Sequence, residues 1–123
     1  DWGYVADVSL GLVVLDLSKP EQPVIHATIE TQGGSQDLTL AGDRIFLAVG
    51  GAGIEAFSIE EPGSPVSTGL VSYGTAIVSV STDESLLWGV GHEDLVVLSI
   101  ADEALLYDGI NICDTTCKIT FKR

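Results

Sequence analysis

The chain has 123 residues, a formal net charge of −13 at pH 7 and a hydrophobic fraction of 46%. Residues 1–117 hold all 18 acidic side chains against two cations, since the other three cations lie in the last six positions. Such a surface repels phosphate backbones and anionic headgroups, so nucleic acids and anionic membranes are not expected as partners. The hydrophobic fraction excludes a disordered acidic tail.

Short runs rich in Val, Ile, Leu and Thr predict β-strands along the whole chain. The first run is Trp2–Asp7, and the middle of the chain gives Asp37–Ala41, Arg44–Val49, Ile54–Ile59 and Val66–Ser72 in succession. Turns with Gly, Pro or Asp separate these runs, and no window of about 11 or more residues has helical periodicity. The sequence therefore predicts an all-β fold.

The longest uncharged run, residues 63–82, has about the length needed to cross a bilayer. It contains Pro65 and three glycines, and its apolar residues alternate as they do in a strand. We therefore expect no membrane span.

The chain repeats itself with a period of 41–42 residues. Tyr4–Asp7 and Gly11–Leu17 recur as Phe46–Val49 and Gly53–Ile59, and then as Leu87–Val90 and Asp94–Ile100. A further segment recurs with a similar period; its copies are Gln36–Leu40, Ile77–Ser81 and Lys118–Phe121. Four strands in a period of this length predict β-propeller blades. We expect one propeller module over residues 1–123, with repeats at about 4–45, 46–86 and 87–123.

The first repeat carries the most specific motif. Gly11–Asp16 is followed by Ser18–Val24 with two prolines, and it comes after the Tyr4–Asp7 strand. This segment resembles the LVIVD repeat, whose blade has a GLxVxD strand followed by a PxxP turn. The second repeat keeps Gly53 and both prolines but has Ser58 in place of the aspartate. The resemblance implies a β-propeller in an extracellular or cell-surface location, and it implies no reaction.

The strand count raises a question of closure. The chain begins on the second strand of a blade, and residues 117–122 supply a first strand that completes a blade, which gives three blades' worth of strands. Known propellers typically have about 4–8 blades. Three arrangements are open: a head-to-tail dimer of half-propellers, a set of blades completed by a longer parent or another chain, and a monomeric three-bladed ring or other β-stack.

Ligands of propellers usually bind at the central funnel, beside the loop that enters each innermost strand. The entering loops here hold small and hydroxyl side chains with few charges, whereas a catalytic funnel generally shows carboxylates, His or Arg. We expect no catalytic residues, and His26 and His92 are expected to be structural or exposed. The candidate binding residues are Ser35, Gln36, Asp37, Thr75, Thr115 and Thr116.

The last repeat offers a candidate calcium site and a candidate disulfide. Asp108, Asn111 and Asp114 have oxygens that suit Ca²⁺, but they do not form an EF-hand loop, so a solvated loop without a cofactor is expected. Cys113 and Cys117 are spaced closely enough for a disulfide, and the alternative is two unpaired thiols.

The function predicted from the residues and the resemblance is that of a noncatalytic extracellular or cell-surface propeller module. It would serve protein assembly or the binding of proteins or glycans. One alternative is a propeller enzyme of the lactonase or glycoside-processing type, with acidic funnel residues and Ca²⁺. A second alternative is a structural subunit of a surface polymer.

Overall fold

A computed structural model describes residues 1–72, 76–83, 85–92, 94–109 and 118–120 of the chain. These residues form eleven antiparallel strands and no helix, which confirms the all-β prediction. They accordingly contain no helix with the length and apolar character needed to span a bilayer. The strands are β1 (Trp2–Asp7), β2 (Gly11–Asp16), β3 (Val24–Ile29), β4 (Asp37–Ala41), β5 (Arg44–Ala48), β6 (Ile54–Ser58), β7 (Val66–Ser72), β8 (Ile77–Asp83), β9 (Leu86–Gly91), β10 (Leu95–Ser99) and β11 (Leu105–Gly109).

The strands form three separate sheets, and within each sheet the neighbours in space are neighbours in sequence. The first sheet has the order β1-β2-β3, the middle sheet β4-β5-β6-β7 and the third sheet β8-β9-β10-β11. Glycines shape two of the turns. Gly42 has a φ of 60° in the β4–β5 turn, and Gly11 has a φ of 90° at the start of β2. A Cβ on Gly11 would lie 2.3 Å from the Ile29 carbonyl oxygen, so this position favours glycine sterically as well.

The middle sheet lies between the other two, because alternate residues along β5 and β6 are buried on opposite faces. The interface between the first and middle sheets (the first interface) is built around Leu12, Ile45, Leu47, Val49 and Phe57. The interface between the middle and third sheets (the second interface) is built around Phe46, Ala48, Ile54, Ala56, Val71, Ile77, Val80, Leu87, Val96 and Leu98.

Hydrogen bonds and an ion pair cross both interfaces near the outer strands. The Tyr4 hydroxyl donates to the Pro62 carbonyl oxygen at 2.7 Å, and burial raises the pKa of this phenol, so it remains a donor. Arg44 donates to the Ile100 carbonyl oxygen at 2.7 Å, forms an ion pair with Glu103 and lies over the Phe46 ring. In both interfaces, therefore, a strand of one sheet (β1 or β5) contacts the turn before the outermost strand of the next sheet.

The strand boundaries agree closely with the sequence prediction in the middle repeat, where β4 and β7 have the predicted limits and β5 and β6 end one residue earlier. The first sheet has three strands and lacks the innermost strand that the other two sheets possess. The sequence predicts that residues 117–122 supply this type of strand. Of that segment the structure describes residues 118–120, which are not assigned to a strand.

Candidate functional site

The candidate site lies at the edge of the middle and third sheets that is formed by their first strands, which we call the inner edge. Strands β4 and β8, the first strands of the middle and third sheets, contact each other along this edge. Residues 118–120 lie against both strands, because Lys118 reaches Asp37 on β4 and the Ile119 N–H donates to the Ser79 hydroxyl on β8. We refer to the side chains of Asp37, Ser79 and Lys118 as the inner-edge cluster.

Asp37 is the centre of the inner-edge cluster. Its Oδ2 accepts hydrogen bonds from the Ser79 hydroxyl at 3.1 Å and from the Val80 N–H at 3.0 Å. Lys118 Nζ lies 3.2 Å from the same oxygen, and Oδ1 accepts from the Leu38 N–H at 3.0 Å. The carboxylate is thus occupied by donors on both oxygens and has a cation beside it. These contacts fit a structural role, in which the Asp37 carboxylate links β4, β8 and residues 118–120.

Ser79 has the contacts of a structural hydroxyl and not of a nucleophile. Its Oγ donates to Asp37 and accepts from the Ile119 N–H at 3.3 Å, and the residue is 1% exposed. A catalytic serine needs a positioned base and also access for the substrate. The carboxylate is present, but burial keeps a substrate carbonyl from reaching the hydroxyl oxygen.

The contacts between inner edges follow the sequence repeat. Asp37 and Ser79 are 42 residues apart, and each accepts a backbone N–H from the next inner segment. Farther along, the Thr39 and Thr82 hydroxyls lie 3.3 Å apart. The sequence comparison above has a 41-residue shift in this segment and aligns Asp37 with Val78, so it does not identify Ser79 as the counterpart. The 42-residue shift that relates Tyr4 to Phe46 is the signal that would have found it.

The loop that enters β4 holds the other two described candidates for binding. Ser35 is fully buried, with its hydroxyl 3.0 Å from that of Thr31. Gln36 is exposed, and its N–H donates to the Ala48 carbonyl oxygen at 2.9 Å. Gln36 is therefore accessible to a ligand, whereas Ser35 holds the loop together. The remaining candidates that lie outside the described residues are Thr75, Thr115, Thr116, Asn111, Asp114, Cys113 and Cys117.

Glu55 is a buried carboxylate that the sequence analysis does not single out. It is 3% exposed, its Oε1 accepts from the Gln32 N–H at 3.0 Å, and its Oε2 accepts from the Ser67 hydroxyl at 2.7 Å. The other repeats have Val13 and Val96 at this position, so an acid in an otherwise apolar position is the signal that marks it. Glu55 binds the β3–β4 connection to the middle sheet.

The two histidines lie apart from the inner-edge cluster. The His26 ring packs edge-on against Trp2, with the ring centroids 4.8 Å apart. His92 is exposed in the β9–β10 turn, where the Gly91 N–H donates to the Asp94 carbonyl oxygen at 2.9 Å. Neither ring is among the hydrogen-bonding partners of Asp37 or Ser79.

Asp108, the described member of the candidate calcium set, interacts with Asp94. Partial desolvation, followed by the charge of Asp94 and a hydrogen bond with it, raises the pKa of the Asp108 carboxyl. In the part of the chain that the structure describes, no three His, Cys, Asp or Glu side chains are grouped closely enough to hold a metal. Asp108 therefore has a second carboxyl group near it, and its own carboxyl retains its proton to a higher pH than usual.

We expect the pKa of the Asp108 carboxyl to lie above its ordinary value, and Asp94→Asn to lower it towards that value. Because the pKa is higher in the folded chain than in the unfolded one, the stabilisation is present at low pH and is lost as the pH rises through the folded-state pKa. Carboxyl-carbon NMR measures the titration directly. The Asp102→Asn variant is the control, and an unchanged Asp108 pKa in Asp94→Asn would contradict the assignment.

No family model matches the chain, and a search of curated proteins finds no match. The resemblance to the LVIVD repeat therefore stays a prediction from the residues of the first repeat.

Proposed function

We propose that the chain is a noncatalytic module of β-propeller blades, of the LVIVD-repeat type, that acts in an extracellular or cell-surface location. Its role is protein assembly, or the binding of proteins or glycans. Three observations support the propeller arrangement: the sheets are meanders, they stack face to face in sequence order, and the first strands of the middle and third sheets contact each other. Successive propeller blades have these same relations.

The observation that carries the noncatalytic assignment is the state of Asp37. Among the described residues it is the carboxylate that an enzyme of this architecture would present to the funnel, yet its oxygens accept from Ser79, Val80 and Leu38 and face Lys118. A general base or metal ligand needs a lone pair directed at its substrate or ion. Asp37 instead uses its lone pairs to join neighbouring segments of the chain.

The outer strands support a role in binding other proteins. Each sheet exposes apolar side chains near the start of its outermost strand. Exposed apolar side chains that adjoin one another can mark interaction sites, and Leu105, Leu106 and Tyr107 are consecutive on β11. The exposed residues on β3, β7 and β11 are Val24, Ile25, Val66, Leu105, Leu106 and Tyr107.

The test is a search for turnover and for calcium binding. We expect the purified chain to hydrolyse aryl lactones and nitrophenyl glycosides no faster than the protein-free control, with and without Ca²⁺. We also expect Ca²⁺ to change the melting temperature no more than Mg²⁺ does. Turnover that is lost in Asp37→Asn, or a melting shift specific to Ca²⁺, would replace this proposal with the lactonase or glycoside-processing alternative.

A further inference from the structure

The outermost strands of the three sheets carry a β-bulge at the same repeat position. In each of them the register with the preceding strand skips one residue, which is His26 on β3, Thr68 on β7 and Leu106 on β11. The residues on either side of the skipped residue are paired in all three sheets. The bulge therefore aligns the three strands residue by residue, and the aligned segments are Ile25–Ala27, Ser67–Gly69 and Leu105–Tyr107.

The third sheet differs from the middle sheet in the side chains at this bulge. On β11 they are Leu105, Leu106 and Tyr107, which are 55%, 58% and 43% exposed. On β7 the aligned segment is Ser67–Gly69, and its serine and threonine are exposed. Because the middle sheet forms the same bulge with small and polar residues, the bulge does not require large apolar side chains. The apolar run on β11 is thus solvent-exposed surface of the kind that contacts other molecules.

Acidic side chains adjoin the apolar run in the third sheet, where the middle sheet has neutral residues. Asp108 directly follows the run on β11, and the register gives it the position of Leu70 on β7. Asp94, which precedes β10, takes the position of Gly53 by the 41-residue shift. Desolvation and then the charge of Asp94 raise the pKa of the Asp108 carboxyl, so the two carboxyl groups lie close enough to interact. The apolar run therefore ends in a region of negative potential, which attracts cations.

We propose that Leu105–Tyr107 and Asp108 form a docking site for a basic, apolar segment of another protein. The proposal rests on the noncatalytic binding role proposed above, and it names the place and the chemistry of the partner. The partner is basic because the chain has a net charge of −13, which disfavours both acidic proteins and a second copy. Lys and Arg suit the site, since each combines an apolar stem with a cationic head. Side chains make the contact, because a bulge hinders the pairing of a further strand with the edge of β11.

The test measures the binding of a fluorescently labelled peptide of alternating Lys and Val residues by fluorescence anisotropy. We expect saturable binding that Leu105→Ser weakens about tenfold, because the variant removes apolar area that docking would bury. The matched control is Ile25→Ser on β3, which has the same repeat position and is 60% exposed, and it should leave binding unchanged. Leu106→Thr tests the same site with the residue type that β7 has there. Circular dichroism checks that each variant is folded.

The contribution of charge is tested with one further variant and two further peptides. Asp108→Asn should weaken binding of the Lys-Val peptide about threefold, the effect of an exposed ion pair. A peptide of alternating Glu and Val residues should bind at least about tenfold more weakly, because its charge is repelled. A peptide of alternating Lys and Ser residues should also bind at least about tenfold more weakly, because it lacks apolar side chains.

Equal binding by Leu105→Ser and Ile25→Ser, unchanged binding by Asp108→Asn, or equal binding of the Lys-Ser and Lys-Val peptides would overturn the proposal. A dimer in light scattering that both Leu105→Ser and Leu106→Thr dissociate would also overturn it, since β11 would then bind a second copy. Absence of peptide binding without turnover in the lactone and glycoside assays removes only the docking site. Turnover in those assays removes the proposed function itself, so the two failures are distinguishable.

Discussion

The Phe46→Ala variant is expected to lose about 3–5 kcal/mol of unfolding free energy. Phe46 is completely buried in the second interface, and the guanidinium carbon of Arg44 lies 4.6 Å from its ring centroid. Truncation removes apolar contacts with the third sheet, leaves a cavity and also removes the ring beneath the arginine. Both the transfer and the cavity contributions lower stability, because the surrounding sheets relax only in part.

Urea unfolding followed by circular dichroism measures this loss, with the slope of the transition checked for two-state behaviour. The control is Leu40→Ala, since Leu40 is 49% exposed and a surface truncation changes stability by about 0.5 kcal/mol or less. Phe46→Leu keeps most of the volume and should cost about 1.5 kcal/mol or less. A Phe46→Ala loss as small as that of Leu40→Ala would show that the second interface is not packed as described.

The Asp37→Ala variant is expected to lose about 1–3 kcal/mol, because the Ser79 hydroxyl and the Val80 N–H would be left without their acceptor. Lys118→Ala should cost about 1 kcal/mol or less, since the Lys118 side chain is 68% exposed and water screens its attraction to Asp37. Asp37→Asn should fall between the two, because its amide oxygen can still accept from Val80.

Thermal or urea unfolding gives these three values, and hydrogen exchange of the Val80 amide gives an independent readout. Exchange should accelerate in Asp37→Ala and remain near the wild-type rate in Lys118→Ala. Equal losses for Asp37→Ala and Lys118→Ala would mean that the ion pair, and not the buried hydrogen bonds, holds the inner edges together.

The sheets are predictable from the sequence because local signals define them. Alternating apolar residues and turn residues set the limits of β4 to β7, and the repeat carries the same pattern to both neighbours. The contacts between sheets depend on how the repeats stack, which no short segment encodes. Asp37 is recognisable as a residue of the inner strand, but its bonds to Ser79 and Lys118 join positions 42 and 81 residues away.

Burial separates candidates that look alike in the sequence. Ser35 and Gln36 are adjacent polar residues of one loop, yet the first is fully buried and the second is exposed. The alternation of the strand that follows does not extend into the loop, so it gives no indication of this difference. Glu55 shows the converse case, since a charged residue takes an apolar position once Gln32 and Ser67 supply donors.

The position of the middle sheet has a consequence for the order of folding. Its hairpins join residues close in sequence, as in the turn at Gly42, whereas the bonds that tie β4 to β8 span 42–43 residues. Closing a long loop costs chain entropy before the contacts between sheets can form. We therefore expect the local hairpins to form before the sheets dock on one another. The middle sheet alone among the described sheets gains apolar burial from both neighbours, so we expect the other two sheets to dock on it.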